Sequence, residues 1–398
     1  MQEVFVISAC RSAIGSFGGS LKDISAPELG SLVLKDALLR AHLDAALVDE
    51  VSIGCVLSAG LGQNVARQAA LGAGLPVAVS AVTVNMVCGS GMKSIVDGAR
   101  AIRSGDAEIV VCGGVENMSA SPYLAAGQRW GSRMGDASTV DSMIRDGLWD
   151  VYNDYHMGVT AENVAEQWQL NREELDAFAL SSQRKAAAAR QAGRFDAEIV
   201  PIKVVVNKAR KVFAADEHPR ETTAESLAKL RPAFKKDGVV TAGNSSGLND
   251  GAAILILAGG EAVKRHGLRP MARLVSWGLA GVDPKVMGVG PVTACKKALA
   301  NGNRSVREMD LIEANEAFAA QSLAVARELE FDTNKVNVNG GAIALGHPIG
   351  ASGARIVVTL LHEMQKREKV LNGLATLCVG GGMGVATIFE KCREENYA

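Results

Sequence analysis

The sequence predicts an α/β protein built twice, with an irregular insert between the halves. Three observations predict it. Apolar β-branched runs alternate with helical patterns along most of the chain. The series near the start is echoed near the end. Each series closes on an apolar strand that runs into paired glycines, Gly113-Gly114 and Gly380-Gly381. Composition agrees: 43 glycines and only 4% aromatic residues in 398 favour tight strand-to-helix turns over a coiled coil or disorder. That length also exceeds one ordinary hydrophobic core.

The first half reads as a strand over 4–9, a helix over 28–41, a strand over 51–57 and a helix over 64–73. The run from Ala81 reads as a buried strand leading to Cys88, with a helix over 92–103 behind it and a strand over 108–114 next. The texture then changes. Trp130, Trp149, Tyr152, Tyr155 and Trp168 cluster ahead of two amphipathic helices, 159–169 and 172–192. Asn171 with Glu174 forms a capping-box pattern for the second helix, and Gly193 is its stop. This insert is either a plain cap on the core or a ligand-binding unit. A strand over 252–257 follows. The second half repeats strand 272–279, helix 292–301, strand 311–314 and helix 319–329. The run Val336–Gly341 then leads into a helix over 352–363, and strand 373–378 ends at Val379-Gly380. The predicted division is 1–118 completed by 250–270, an insert over 119–249, and 271–398. Alternating strands and helices imply parallel βαβ units, with a site at strand ends where the halves meet.

Net charge is −1 with no acidic or basic block, which argues against nucleic acid or a membrane surface as partner. Seven cysteines, none in a Cys-x-x-Cys pair, fit neither a zinc ribbon nor a disulfide scaffold. A reducing cytoplasm is the expected compartment. The N-terminus reads as a first strand rather than a signal or transit peptide, and Glu395-Asn396-Tyr397-Ala398 carries no peroxisomal address. No metal-ligand cluster and no bilayer-length apolar run are expected.

Four segments carry chemistry. In Asn85-Met86-Val87-Cys88-Gly89-Ser90-Gly91, the cysteine stands where a strand gives way to a helix N-terminus, whose free N–H groups favour a thiolate. A buried cysteine is equally often a small hydrophobe, so position alone leaves both readings open. Asn315-Glu316-Ala317-Phe318, Gly346-His347-Pro348-Ile349-Gly350-Ala351-Ser352-Gly353 and Cys378-Val379-Gly380-Gly381-Gly382 complete the set. All lie at strand ends. A nucleophilic Cys88, a His347 that takes its proton and a second thiol, Cys378, suffice for two acyl transfers and one carbon-acid deprotonation. Asn315 can equally serve as a helix cap. Cys55 and Cys112 read as core, and His42, His218, His266 and His362 as solvent-facing. Gly243-Asn244-Ser245-Ser246-Gly247 matches a hydrolase nucleophile elbow, but a turn and a strand follow it where that motif needs a helix.

These four blocks, in this order and over essentially the whole chain, resemble the thiolases of the short-chain, biosynthetic type. The resemblance implies two βαβαβαββ halves in a five-layered αβαβα arrangement, with a loop domain inserted after the first half. It implies ping-pong condensation of two acetyl-CoA to acetoacetyl-CoA plus CoA through an S-acetyl Cys88, and the reverse thiolysis. It implies one oxyanion site from His347 with a water held by Asn315, and another from the N–H groups of Cys88 and Gly380. Coenzyme A arrives with the substrate, so no separate cofactor is implied. By the same resemblance Arg220 and Ser226 meet the nucleotide end. Leu148, His156, Met157, Phe234, Ala242 and Ser246 line the pantetheine tunnel, Met287 and Phe318 close the acyl pocket, and with Met157 they leave room for only a short acyl chain; Ala317 is a further substrate contact. A homotetramer built from dimers is implied, with 130–136 as its contact loop. The basic run Lys208, Arg210 and Lys211 reads as a solvated stretch rather than a phosphate site. Other readings are a longer-chain 3-ketoacyl-CoA thiolase, against which His156-Met157 and the Arg129-to-Met134 loop favour the short-chain type, a decarboxylating condensing enzyme, and a non-catalytic CoA or lipid binder.

Overall fold

A computed structural model of the chain describes residues 2–206 and 208–392. The Glu395–Ala398 segment considered above lies outside the described residues. The first half comprises β1 (Val4–Ser12), α1 (Ala26–Ala41), β2 (Glu50–Gly54), α2 (Val65–Gly72), β3 (Ser80–Val84), α3 (Ser90–Ser104) and β4 (Ile109–Asn117). The insert contributes α4 (Met157–Gln167) and α5 (Arg172–Gln191). Asn171 caps α5 through a reciprocal box with Glu174, a device that typically stabilises by about 1 kcal/mol. The chain returns through β5 (Asn249–Gly259) and β6 (Ala272–Gly281). Then come α6 (Gly290–Gly302), β7 (Leu311–Ala314), α7 (Ala319–Glu328), α8 (Ile349–Lys366), β8 (Asn372–Val379) and β9 (Met383–Lys391).

The strands run in the order β7-β8-β9-β6-β1-β5-β4-β2-β3. Each half therefore has the same internal order, because Val336 bridges to Ile312 beside β7 just where β3 stands beside β2. The halves join at β1 and β6 through Phe5↔Arg273 and Val6↔Ala272. Not every pairing is parallel: β2 lies parallel to β3 and β4, and β7 to β8, whereas β5 and β9 pair antiparallel with both neighbours. The run that reads as a third strand in the second half shrinks to that single Val336 bridge. β3 is an edge strand and only half-buried, with Val82 at 45% exposure, so its apolar run does not mark a buried strand. The sequence reading also passed over β9 and a hairpin of Ile202–Val206 with Ala209–Phe213.

Three apolar clusters give the layers. α1 and α2 pack on one face of the first half-sheet, through residues such as Leu29, Val33 and Ala69 against Val111 and Ile254. α6 and α7 cover the outer face of the second, through Ala294, Ala298 and Val325 against Leu374 and Ile388. Between the half-sheets lie α3 and α8, sharing one core with Val110, Leu255 and Leu377. The result is αβαβα. The two central helices cross closely because a Cβ on Gly91 would meet the Ala354 nitrogen and one on Gly353 the Met92 nitrogen. That crossing brings their N-termini together, and the loops feeding those N-termini carry Cys88 and His347.

Candidate active site

Cys88 is set by a strained turn. Val87 has φ +46°, a conformation that a β-branched residue rarely adopts. Ser90 holds the turn, its Oγ donating to the Val87 carbonyl at 2.6 Å and accepting the Met86 N–H at 2.8 Å. The thiol is nearly buried and lines a cavity of about 410 Å³. Burial pushes it up to about 11, while the backbone N–H groups of Gly380 and of Cys88 itself pull it down. Proximity to a helix N-terminus therefore does not make a resting thiolate. Burial is the larger effect, and ionisation needs a base.

His347 lines the same cavity, 6% exposed. Its backbone N–H donates to Asn249 Oδ1 at 2.9 Å, which ties its loop to the start of β5. Nε2 is buried without a protein partner. Burial and the nearby Arg355 guanidinium lower the imidazole to about 3, so the ring is neutral and available as a base. Cys378, at the end of β8, is fully buried and does not line the cavity. It packs with Met157, Met287, Ala317 and Phe318, which do line it. Burial, followed by the charge of Cys88, pushes the Cys378 thiol well up, so the two sulfurs are electrostatic neighbours. Asn315 also lies behind the cavity wall, its Nδ2 3.5 Å from His347 Nδ1 and its Oδ1 without a partner.

Of the remaining predicted residues, Leu148, His156, Met157, Arg220, Phe234, Ala242, Ser246, Met287, Ala317, Phe318 and Gly380 line the cavity. Ser226 does not. It lines a neighbouring surface groove of about 830 Å³ that shares Arg220 with the cavity and adds Arg184 and Arg190. Lys208, Arg210 and Lys211 line neither. His156 caps α4, its Nδ1 accepting the Gly158 N–H at 3.0 Å, and stacks on Phe234 at 4.8 Å. Phe234 in turn meets Phe318 edge-on at 6.2 Å. All three rings line the cavity that holds Cys88. Ser245 and Ser246 sit in a loop, not on a strand-to-helix elbow.

Some site residues escaped the sequence reading. His218 does not face solvent. It lines the cavity, held at about 4 by burial and by Arg220. His362 is also half-buried, bonded to the Ala9 carbonyl. Two buried carboxylates brace the loops. Glu116 accepts N–H bonds from Val56, Leu57 and Gly350 at 2.9–3.0 Å, tying the start of α8 to the first half, and burial pushes it up to about 7. Glu316 accepts from Ser182, Asn337 and the Ile343 N–H, fastening the Asn315 loop. The available signal was an acid closing an otherwise apolar run, as Glu116 does after Ile109–Val115.

Comparison with known proteins adds three findings. Residues 4–261 match the family model described as the N-terminal domain of thiolase, and 268–391 match that of its C-terminal domain. An acetyl-CoA acetyltransferase of Pseudomonas aeruginosa is 61% identical over 388 residues, covering 97% of this chain and 98% of that one. Among solved structures, the acetyl-CoA acetyltransferase of Bacillus anthracis superposes with a TM-score of 0.96 at 48% identity, over 98% of this chain and 99% of that one. Human mitochondrial 3-ketoacyl-CoA thiolase does so at 0.96 and 44% identity, with the same coverage.

Proposed function

The chain belongs to the thiolase family, and from that premise we propose the chemistry of its site. It is an acyltransferase, an acetyl-CoA acetyltransferase, whose substrates are acetyl-CoA and CoA. The observation that carries the residue assignment is the Cys88 sulfur. The backbone N–H groups of Gly380 and of Cys88 itself favour its charged form, and it shares one cavity with His347, whose Nε2 has no protein partner.

His347 Nε2 takes the Cys88 proton, and the sulfur attacks the acetyl-CoA carbonyl. The carbonyl oxygen collects charge beside the N–H groups of Cys88 and Gly380, where losing one donor costs about 3–4 kcal/mol of transition-state stabilisation. CoA leaves as a thiolate and is protonated by Cys378, which remains as a thiolate. A second acetyl-CoA enters. Cys378 removes a methyl proton, and the enolate oxygen rests against protonated His347 and a water held by Asn315. The carbanion attacks the acetyl group on Cys88, acetoacetyl-CoA departs, and His347 returns its proton to Cys88. The proton count closes: two acetyl-CoA give acetoacetyl-CoA and CoA. Run backwards, the cycle is thiolysis.

The groove with Arg184, Arg190, Arg220 and Ser226 takes the nucleotide end of CoA, and the passage beside His156 and Phe234 takes the pantetheine arm. The stretch 119–249 supplies all six of these residues and acts as the CoA-binding unit, between halves 1–118 with 250–270 and 271–398. No cofactor beyond substrate-borne CoA is needed. A homotetramer is supported by Trp130 and Met134, which stand 92% and 90% exposed on one loop. The unpaired cysteine pattern supports a cytoplasmic location, and among the described residues no helix is long and apolar enough to cross a membrane.

Intact-protein mass spectrometry tests the assignment. Mixing with acetyl-CoA adds one acetyl group, which peptide mapping places on Cys88. An unmodified protein, or acetyl elsewhere, overturns it. A second reading, cleavage of longer 3-ketoacyl-CoAs, rests on the likeness to the human enzyme. Rates that stay flat beyond four acyl carbons favour that reading over the short-chain one.

A further inference from the structure

We propose that Ser352 is a positioning residue that holds the His347 imidazole in its Nδ1–H tautomer. It does so by a relay in which Nδ1–H donates to Ser352 Oγ and Ser352 Oγ–H donates to the Pro348 carbonyl. The inference rests on the reading that His347 Nε2 takes the Cys88 proton.

The geometry is short and closed. Ser352 Oγ lies 2.6 Å from His347 Nδ1 and 2.9 Å from the Pro348 oxygen. Both side chains are buried, Ser352 at 1% exposure. Asn315 Nδ2, at 3.5 Å from the same ring nitrogen, is too distant to compete. The local fold dictates the contact. Pro348 caps α8, so Ser352 stands one turn in, where a serine hydroxyl donates back to the carbonyl four residues earlier. A hydroxyl has a single hydrogen. Given to Pro348, it leaves only lone pairs toward Nδ1, and a lone pair is satisfied by a ring N–H. A neutral imidazole carries one hydrogen, so Nε2 is left bare. Nε2 is the nitrogen that has no protein partner, and His347 shares its cavity with Cys88.

The arrangement has the logic of a nucleophile, a base and a third group that orients the base. The third group here is a hydroxyl instead of a carboxylate. A hydroxyl fixes the tautomer without adding negative charge, so it leaves the imidazole weakly basic. That agrees with the low basicity that burial and Arg355 impose on His347. The ring then returns its proton readily at the end of each cycle.

The test uses the full-length enzyme labelled with 15N-histidine. Long-range proton–nitrogen spectra report which ring nitrogen carries hydrogen. The wild type is expected to show Nδ1–H at His347. Ser352→Ala is expected to populate both tautomers and to slow Cys88 acetylation by about 10- to 100-fold. Its KM for acetyl-CoA should stay within about twofold, since a positioning role acts on kcat. Ser352→Thr, which restores the hydroxyl, is expected to recover the single tautomer and most of the rate. An Nε2–H signal in the wild type overturns the proposal, even if the alanine variant does not fold. So does a Ser352→Ala enzyme that acetylates at the wild-type rate. A wild type that shows Nδ1–H yet never acetylates Cys88 overturns the catalytic reading instead and leaves the tautomer assignment standing.

Discussion

Cys88 and Cys378 lie at different places in the repeat, Cys88 in the loop from β3 to α3 and Cys378 in β8, the counterpart of β4, and their surroundings differ as well. Cys88 rides on the αL Val87 turn, touches the cavity and has two N–H groups at its sulfur. Cys378 is still inside β8, opposite Gly384, sealed behind Met157, Met287 and Ala317. Burial raises both thiols, and it raises Cys378 further. The Gly380 N–H makes the difference, since each thiol also has the N–H of its own residue. A sulfur that accepts amide hydrogens is prepared to carry charge and an acyl group. One without external donors ionises only when a substrate sulfur or carbon exchanges a proton with it directly.

The largest effect that sharpens this contrast comes from separating the two thiols. Cys88→Ala should take up no acetyl group, and Cys378→Ala should still acetylate Cys88. Its condensation rate should nevertheless fall by about 10²–10⁴, the usual worth of a positioned acid–base group. Radiolabelled acetyl-CoA reads both steps, as bound label and as four-carbon product. Equal loss of both steps in the two variants would erase the distinction.

A pH profile comes next. Cys88 sits near 11 and His347 near 3, so between these limits the thiol and imidazole are both neutral. The ion pair formed by proton transfer keeps the same charge as the neutral pair, so its population does not vary with pH in that window. Rapid-quench acetylation should therefore be flat from about pH 5 to pH 9, the stretch between His347 protonation below and Cys88 ionisation above. An acid limb near 6.5 would mean an exposed imidazole, and would sink the burial argument.

The smallest effect concerns the wall of Cys378. Met157→Ala should open the acyl pocket and shift the kcat/KM ratio of six-carbon to four-carbon 3-ketoacyl-CoA by about tenfold, the scale of one or two methylenes in an apolar pocket. A ratio unchanged within twofold would place the length limit elsewhere.

The reach of the sequence follows from how local each signal is. Glycine next to cysteine or histidine at a strand end is a local pattern, and Cys88, His347 and Gly380 were legible from it. Asn171 with Glu174 was legible for the same reason. The apolar run of β3 was misread because hydrophobicity does not say which strand stands at an edge. The Ile202–Phe213 hairpin was passed over because Lys203, Lys208, Arg210 and Lys211 interrupt its apolar character. His218 was assigned to solvent from its polar neighbours, and only the folded chain turns it to the cavity wall.

By itself the sequence determined most of the helices and strands, that they form twice, and which loops carry a thiol, an imidazole and close-approach glycines. Those are consequences of side-chain type and spacing within a dozen residues. The tertiary structure alone decided that α3 and α8 cross at Gly91 and Gly353, and so bring residues 88 and 347 to one cavity. It also decided that burial outweighs the helix N-terminus at Cys88. The physical reason is that desolvation depends on atoms contributed by distant segments, here the second half of the chain closing over the first, and no local pattern encodes that sum.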